Sequence, residues 1–208
     1  MEETKFRYIN PFTDFGFKKI FGEEYNKDLL IDFLNSILPL ASPIIDVTYG
    51  SQEKLPPIER DRKSVVDIYC ESSNGEKFVV EMQKTMQLHF KDRSLLYASY
   101  PIIQQAQKGK PWNYELSSVY VIAVLDFKLP DEPNPNQYMH NVQLVELETN
   151  MVFYDKLRFV YIEMPNFKKG LKDLETNTDR WLYFLKHLDE MQEIPEELKS
   201  DIFKKAFE

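Results

Sequence analysis

The stretch DIYCESSNGEKFVVEMQ, Asp67–Gln83, reads as two strands joined at a Ser-Asn-Gly turn, and each strand carries an acid among residues suited to burial. Side chains alternate along a strand, so Val65, Asp67 and Tyr69 share one face, and Val79, Glu81 and Gln83 share one face of the next. Two turns fit the sequence. A strict two-residue Asn74-Gly75 turn sets Asp67 opposite Met82, whereas a three-residue loop, Ser73–Gly75 with Gly75 left-handed, sets Asp67 opposite Glu81. Only the second brings the carboxylates together. Facing carboxylates repel, and each loses solvation, so that pairing requires a cation or a shared proton. Oxygen donors favour a hard cation, Mg²⁺ or Mn²⁺. The plainer reading makes both acids edge-strand charges that discourage association.

Outward from the hairpin the pattern is α/β. Phe17–Leu40 places Ile20, Leu29, Leu30, Phe33, Leu34 and Ile37 at helical spacings with an interruption at Gly22. This predicts two short helices or one broken helix, entered through Thr13 or Asp14 as a cap. Ser42–Gly50 predicts a strand, and Ser51–Lys63 a charged loop containing proline. Gln87–Lys108 lacks glycine and repeats large residues at three and four, predicting a crossover helix with Pro101 as its kink. Ser117–Phe127, SSVYVIAVLDF, is the nearly continuous β-branched run of a strand covered on both faces, and is expected at the sheet centre. Asn141–Glu148 and Arg158–Met164 continue the sheet, and from Asp173 onward the chain is helical with a break near Pro195.

The 208 residues, 43% hydrophobic and 14% aromatic, suit one domain or one domain with an appendage. The lone Cys70 excludes an intramolecular disulfide framework, and His89, His140 and His187 lie too far apart for a local zinc motif. No stretch approaches the roughly 18 apolar residues of a membrane span, so a soluble cytoplasmic protein is expected. A net charge of −8 argues against coating of nucleic acid by the whole surface and leaves room for a local basic cleft.

Four segments, FTDFGFKKIFG (Phe12–Gly22), VVDIYCESSNGEKFVVEMQ (Val65–Gln83), RSLLYASYPI (Arg93–Ile102) and FVYIEMPNFKK (Phe159–Lys169), together resemble the bacterial PD-(D/E)XK nuclease family transposases, also called recombination-promoting nucleases. The resemblance implies a restriction-endonuclease-like α/β core, a mixed central β-sheet flanked by helices, over residues 1–170, with a C-terminal helical extension over 171–208 that stops short of the family's usual length. It also implies a metal-dependent DNA endonuclease using Mg²⁺ or Mn²⁺; apart from the resemblance, a homodimer would suit double-strand cutting. By the same resemblance Asp67 and Glu81 hold the ion with the backbone carbonyl of Met82, and the ion activates the attacking water. Gln83 takes the catalytic place of the superfamily's usual lysine and matches this family's own glutamine. Asp14 is a third acid after its capping role. Lys18, Lys84, Lys91 and Arg93 flank these elements and are candidates for the DNA cleft, against a plainer reading as solvated charges. Because an amide brings no positive charge, the alternative function is a weak or inactive nuclease-fold module that binds DNA or self-associates.

Overall fold

The computed structural model describes residues 7–50, 66–106, 113–130 and 134–208. Its elements are α1 (Asp14–Phe21), α2 (Lys27–Ile37), β1 (Val47–Tyr49), β2 (Ile68–Ser72), β3 (Lys77–Gln83), α3 (Phe90–Gln104), β4 (Val119–Leu125), β5 (Met139–Val145), β6 (Val152–Glu163), α4 (Asn177–His187) and α5 (Asp201–Ala206). The strands form one six-stranded sheet in the order β1-β2-β3-β4-β6-β5. β3, β4 and β6 run parallel, with antiparallel strands on both sides. A parallel pair needs a crossover, and α3 supplies it between β3 and β4.

β4 lies between β3 and β6, as its β-branched run predicts, and every residue in it is buried. Tyr120, Ile122 and Val124 enter a core built with α1, α2 and the C-terminal helices, while Val119, Val121, Ala123 and Leu125 pack on the other face with Phe90 and Tyr97 of α3. The result is the expected α/β architecture, a mixed sheet between helical layers.

The hairpin takes the three-residue loop. Gly75 has φ 83°, its N–H donates to the Ser72 carbonyl, and the Ser72 N–H donates to the Glu76 carbonyl, closing the loop over Ser73–Gly75. Beyond it the register runs Glu71 to Lys77, Cys70 to Phe78, Tyr69 to Val79 and Ile68 to Val80. The next step outward sets Asp67 against Glu81.

Several boundaries differ from the sequence reading for local reasons. β1 holds only Val47–Tyr49. His89 is left-handed, φ 63°, so α3 starts at Phe90, and the chain from Lys84 to His89 turns back toward the strand end. β6 starts at Val152 because the β5–β6 arm reaches past the core, where Leu147 and Phe153 are exposed. Thr13, rather than Asp14, caps α1 by accepting from the Gly16 N–H at 3.0 Å. Gly16 is required there because a Cβ would lie 2.0 Å from the Asn10 carbonyl oxygen. The residues after 171 share the main core: Trp181 lies 5.4 Å from Phe21 and 4.7 Å from Phe203 between ring centroids, and its Nε1 donates to Asp32 at 2.6 Å. Val65 and the loop 51–63 lie outside the described residues. Among the described residues no helix is long and apolar enough to cross a membrane.

The loop yields a direct test. A Cβ at Gly75 would meet only the Ser117 hydroxyl at 3.3 Å and Glu71 at 3.9 Å, so the penalty is conformational rather than steric crowding. Gly75→Val is expected to cost at least about 1–2 kcal/mol in denaturant unfolding, the penalty for a left-handed L-residue. Asn74→Asp should leave the midpoint unchanged, and equal destabilisation by both would contradict this loop geometry.

Candidate active site

At the open end of the hairpin the backbone ladder gives way to side chains. Asp67, one residue before β2, accepts from the Met82 N–H through Oδ2 at 2.8 Å, while its own N–H donates to Glu81 Oε1 at 3.2 Å. Each acid therefore grips the backbone of the other's strand. In a strand the N–H and C=O of one residue project to the same side, so the Met82 carbonyl is directed to the Asp67 side of β3. The Gln83 carbonyl is turned the other way and accepts from the Asp126 N–H at 2.9 Å. Two carboxylates and a carbonyl thus border one strand end.

Glu81 is 1% exposed. It shares the face of Val79, beneath α3. Burial pushes its carboxyl up to about 8, and the neighbouring Asp67 charge adds to the effect. The Arg93 guanidinium, the Gln83 amide and the Asp67 N–H oppose it. Burial likewise raises Asp67 to about 6 against the Met82 N–H and Lys18, with Asp14 reinforcing the rise. Both shifts have the same origin: negative charge has been placed where water cannot solvate it. A divalent cation between the carboxylates would remove that penalty, and the all-oxygen donor set suits Mg²⁺ or Mn²⁺. Among the described residues no group of three His, Cys, Asp or Glu side chains is arranged to hold a metal ion, so the backbone carbonyl and water would have to complete the shell.

The flanking charges divide into two groups. From α1, Lys18 Nζ lies 2.6 Å from Asp14 and 3.9 Å from Asp67, so Asp14 and Lys18 both reach the acid pair. Asp14 is the first residue of α1, and its carboxylate engages Lys18 and Asp67 rather than capping the helix. From the opposite layer, Gln83 Nε2 donates to Glu81 Oε2 at 3.3 Å and Gln83 Oε1 accepts from Gln87 Nε2 at 2.7 Å. Gln87 Oε1 in turn accepts from Arg93, whose Nε donates to the Tyr97 hydroxyl. Lys18 and Arg93 are therefore half-buried and turned toward the acids, whereas Lys84 and Lys91 are exposed. Lys84 follows β3 and bears electrostatically on Asp126 at the end of β4. His89 is a surface residue paired with Asp92 at 3.5 Å.

Gln87 was not identifiable in the sequence. The periodicity makes it the first residue of the crossover helix, but the left-handed His89 starts that helix at Phe90, and Gln87 instead folds back to Gln83.

No curated protein and no solved structure shows a significant match to the chain. The sequence profile of the PD-(D/E)XK nuclease family transposases does match, over residues 11–208, and that span contains the paired acids, the amide at 83 and the helices on both sides. The chain belongs to the PD-(D/E)XK nuclease family transposases.

Proposed function

We propose that the protein is a divalent-ion-dependent endonuclease that hydrolyses phosphodiester bonds in DNA, with the Asp67 and Glu81 carboxylates and the Met82 carbonyl holding the ion. The observation that carries this reading is the interlocked pair of half-buried Asp67 and buried Glu81, an arrangement unfavourable by itself and one that a cation would relieve. When bound, Mg²⁺ or Mn²⁺ supplies Lewis acidity, lowering the pKa of a water and offsetting charge that builds on the phosphate. The chain's own residues orient and neutralise. Gln83, half-exposed at the strand end, can present its amide to a water or a phosphate oxygen beside Glu81. Lys18 offsets charge at Asp67, and the exposed Lys84 and Lys91 are proposed to meet the DNA backbone. Each strand of a duplex needs its own cut, so a second copy of the chain is the proposed partner for double-strand breaks.

Cleavage of supercoiled DNA by pure protein with Mg²⁺ or Mn²⁺ tests this directly. Asp67→Ala and Glu81→Ala are each expected to lower the rate at least ~100-fold, the scale of losing a main electrostatic contributor. Cleavage that persists unchanged in both variants would exclude this site.

The metal-free protein should also show the penalty of the acid pair. Below about pH 4 an unfolded-state aspartate is protonated, as is the folded one, and Asp67 then has no effect on stability. Above it the unfolded state releases its proton while folded Asp67 retains one until about pH 6, so stability falls as pH rises through that window. Asp67→Asn still accepts from the Met82 N–H and can donate toward Asp14. It should match wild type near pH 4 and melt about 2–4 °C higher at pH 8 without metal, the effect of about 1 kcal/mol in a chain of this size. Added Mn²⁺ should raise the melting temperature of wild type only. A lower melting temperature for Asp67→Asn at pH 8 would mean that the acid stabilises the metal-free fold.

A further inference from the structure

The half-buried Arg93, Gln87 and Gln83 form a continuous chain to Glu81, and the chain has a direction. A guanidinium only donates, so Gln87 must turn Oε1 to Arg93 and Nε2 away from it. That Nε2 donates to Gln83 Oε1 at 2.7 Å, which leaves the Gln83 Nε2 for Glu81 Oε2 at 3.3 Å. At the far end Glu81 accepts at both oxygens, from Gln83 and from the Asp67 N–H. Reversing either amide would set donor against donor. The start of the chain is itself fixed: Arg93 donates through Nε to Tyr97, lies over its ring with 5.1 Å to the centroid, and Tyr97 is 1% exposed.

Resting on the metal-ion reading of the acid pair, we propose that Arg93 is a positioning residue that serves as the cation of this site, orienting Gln83 and Glu81 through Gln87, and that the relay is what requires an amide at position 83. Hydrogen bonds in series polarise one another, so charge fixed at one end bears on the carboxylate at the other. The opposing influence of Arg93 on the carboxyl of Glu81 agrees with this. A lysine at 83 brings only donors. Gln87 would have to turn its oxygen to that lysine and its nitrogen to Arg93, placing donors and two cations together. The conflict disappears when Arg93 is replaced by an uncharged residue able to accept.

The test compares wild type, Arg93→Gln, Gln83→Lys and the double variant by calorimetric titration with Mn²⁺, by cleavage rate, and by the side-chain amide NMR signals of Gln83 and Gln87 in metal-free protein. Each single change is expected to weaken Mn²⁺ binding and cleavage about 10–100-fold, the range seen when outer partners of metal ligands are removed. The double variant should bind and cleave better than either single one. In metal-free Arg93→Gln, the Gln83 amide signals should move together with those of Gln87. Gln83→Lys equal to or better than wild type, independent effects that simply multiply in the double variant, or an Arg93→Gln that leaves the Gln83 signals in place would each overturn the proposal. Should Arg93→Gln fail to fold, Gln83→Lys at the strand end decides alone. Wild type that neither binds Mn²⁺ nor cuts DNA refutes the metal reading and the cation role, while the amide signals still report whether the relay exists.

Discussion

The site depends on the phase of one hairpin. β3 is paired on both edges, antiparallel to β2 and parallel to β4, and Val79 and Val80 are buried on opposite faces. A strand held this way cannot shift by one residue without exchanging its two faces, which would drive Phe78, Val80 and Met82 out of the main core. The left-handed Gly75 sets the phase at one end of the hairpin. The interlocked backbone and carboxyl contacts of Asp67 and Glu81 take the place of ladder hydrogen bonds at the other.

The acid pair is unfavourable for the fold, and the surrounding structure limits the damage from two sides. An exposed ion pair such as Lys18–Asp14 contributes at most about 1 kcal/mol, so it cannot offset the burial of Glu81. Direct N–H donors do more, because a hydrogen bond to a buried charge restores part of the lost solvation; Met82, Gln83 and the Asp67 backbone provide them. On the proposed metal-ion reading, the remaining deficit would add to the affinity for a cation, because an ion that binds only the folded state stabilises it.

Features that rest on periodicity were legible in the sequence, whereas geometry set by single residues was not. The β-branched run of β4 and the glycine-free helix after β3 carry enough repeated signal to place the sheet centre and the crossover, and the alternation around Asp67 and Glu81 sets each acid on one face of its strand. Two hairpin registers stayed open, because Ser-Asn-Gly satisfies either loop with Gly75 at positive φ; the Ser72–Glu76 closure, with Asn74 outside the left-handed region, selects one. Gln87 and Arg93 were harder. Arg93 reads from sequence as one more surface cation, and its inward turn depends on the ring of Tyr97 four residues on and on the left-handed His89, which has no periodic signature. The choice of Thr13 over Asp14 as cap rests on the close approach of Gly16 to Asn10, again a single contact.

The helical layer opposite α3 also bears on the acid pair. In α1, Phe17 and Phe21 face the core while Asp14 and Lys18, four apart, face the acid pair, so the position of the latter follows from the packing of the former. Phe21 packs on Phe33 of α2 at 4.9 Å and on Trp181 of α4, and Trp181 is backed by Phe203 of α5. Asp32 ties these helices together by accepting from both Asn177 and Trp181. Close-packed aromatic layers transmit displacement instead of absorbing it. The packing of the helices after residue 171 therefore bears on where Lys18 stands relative to Asp67, through Trp181, Phe21 and the helix that carries Lys18.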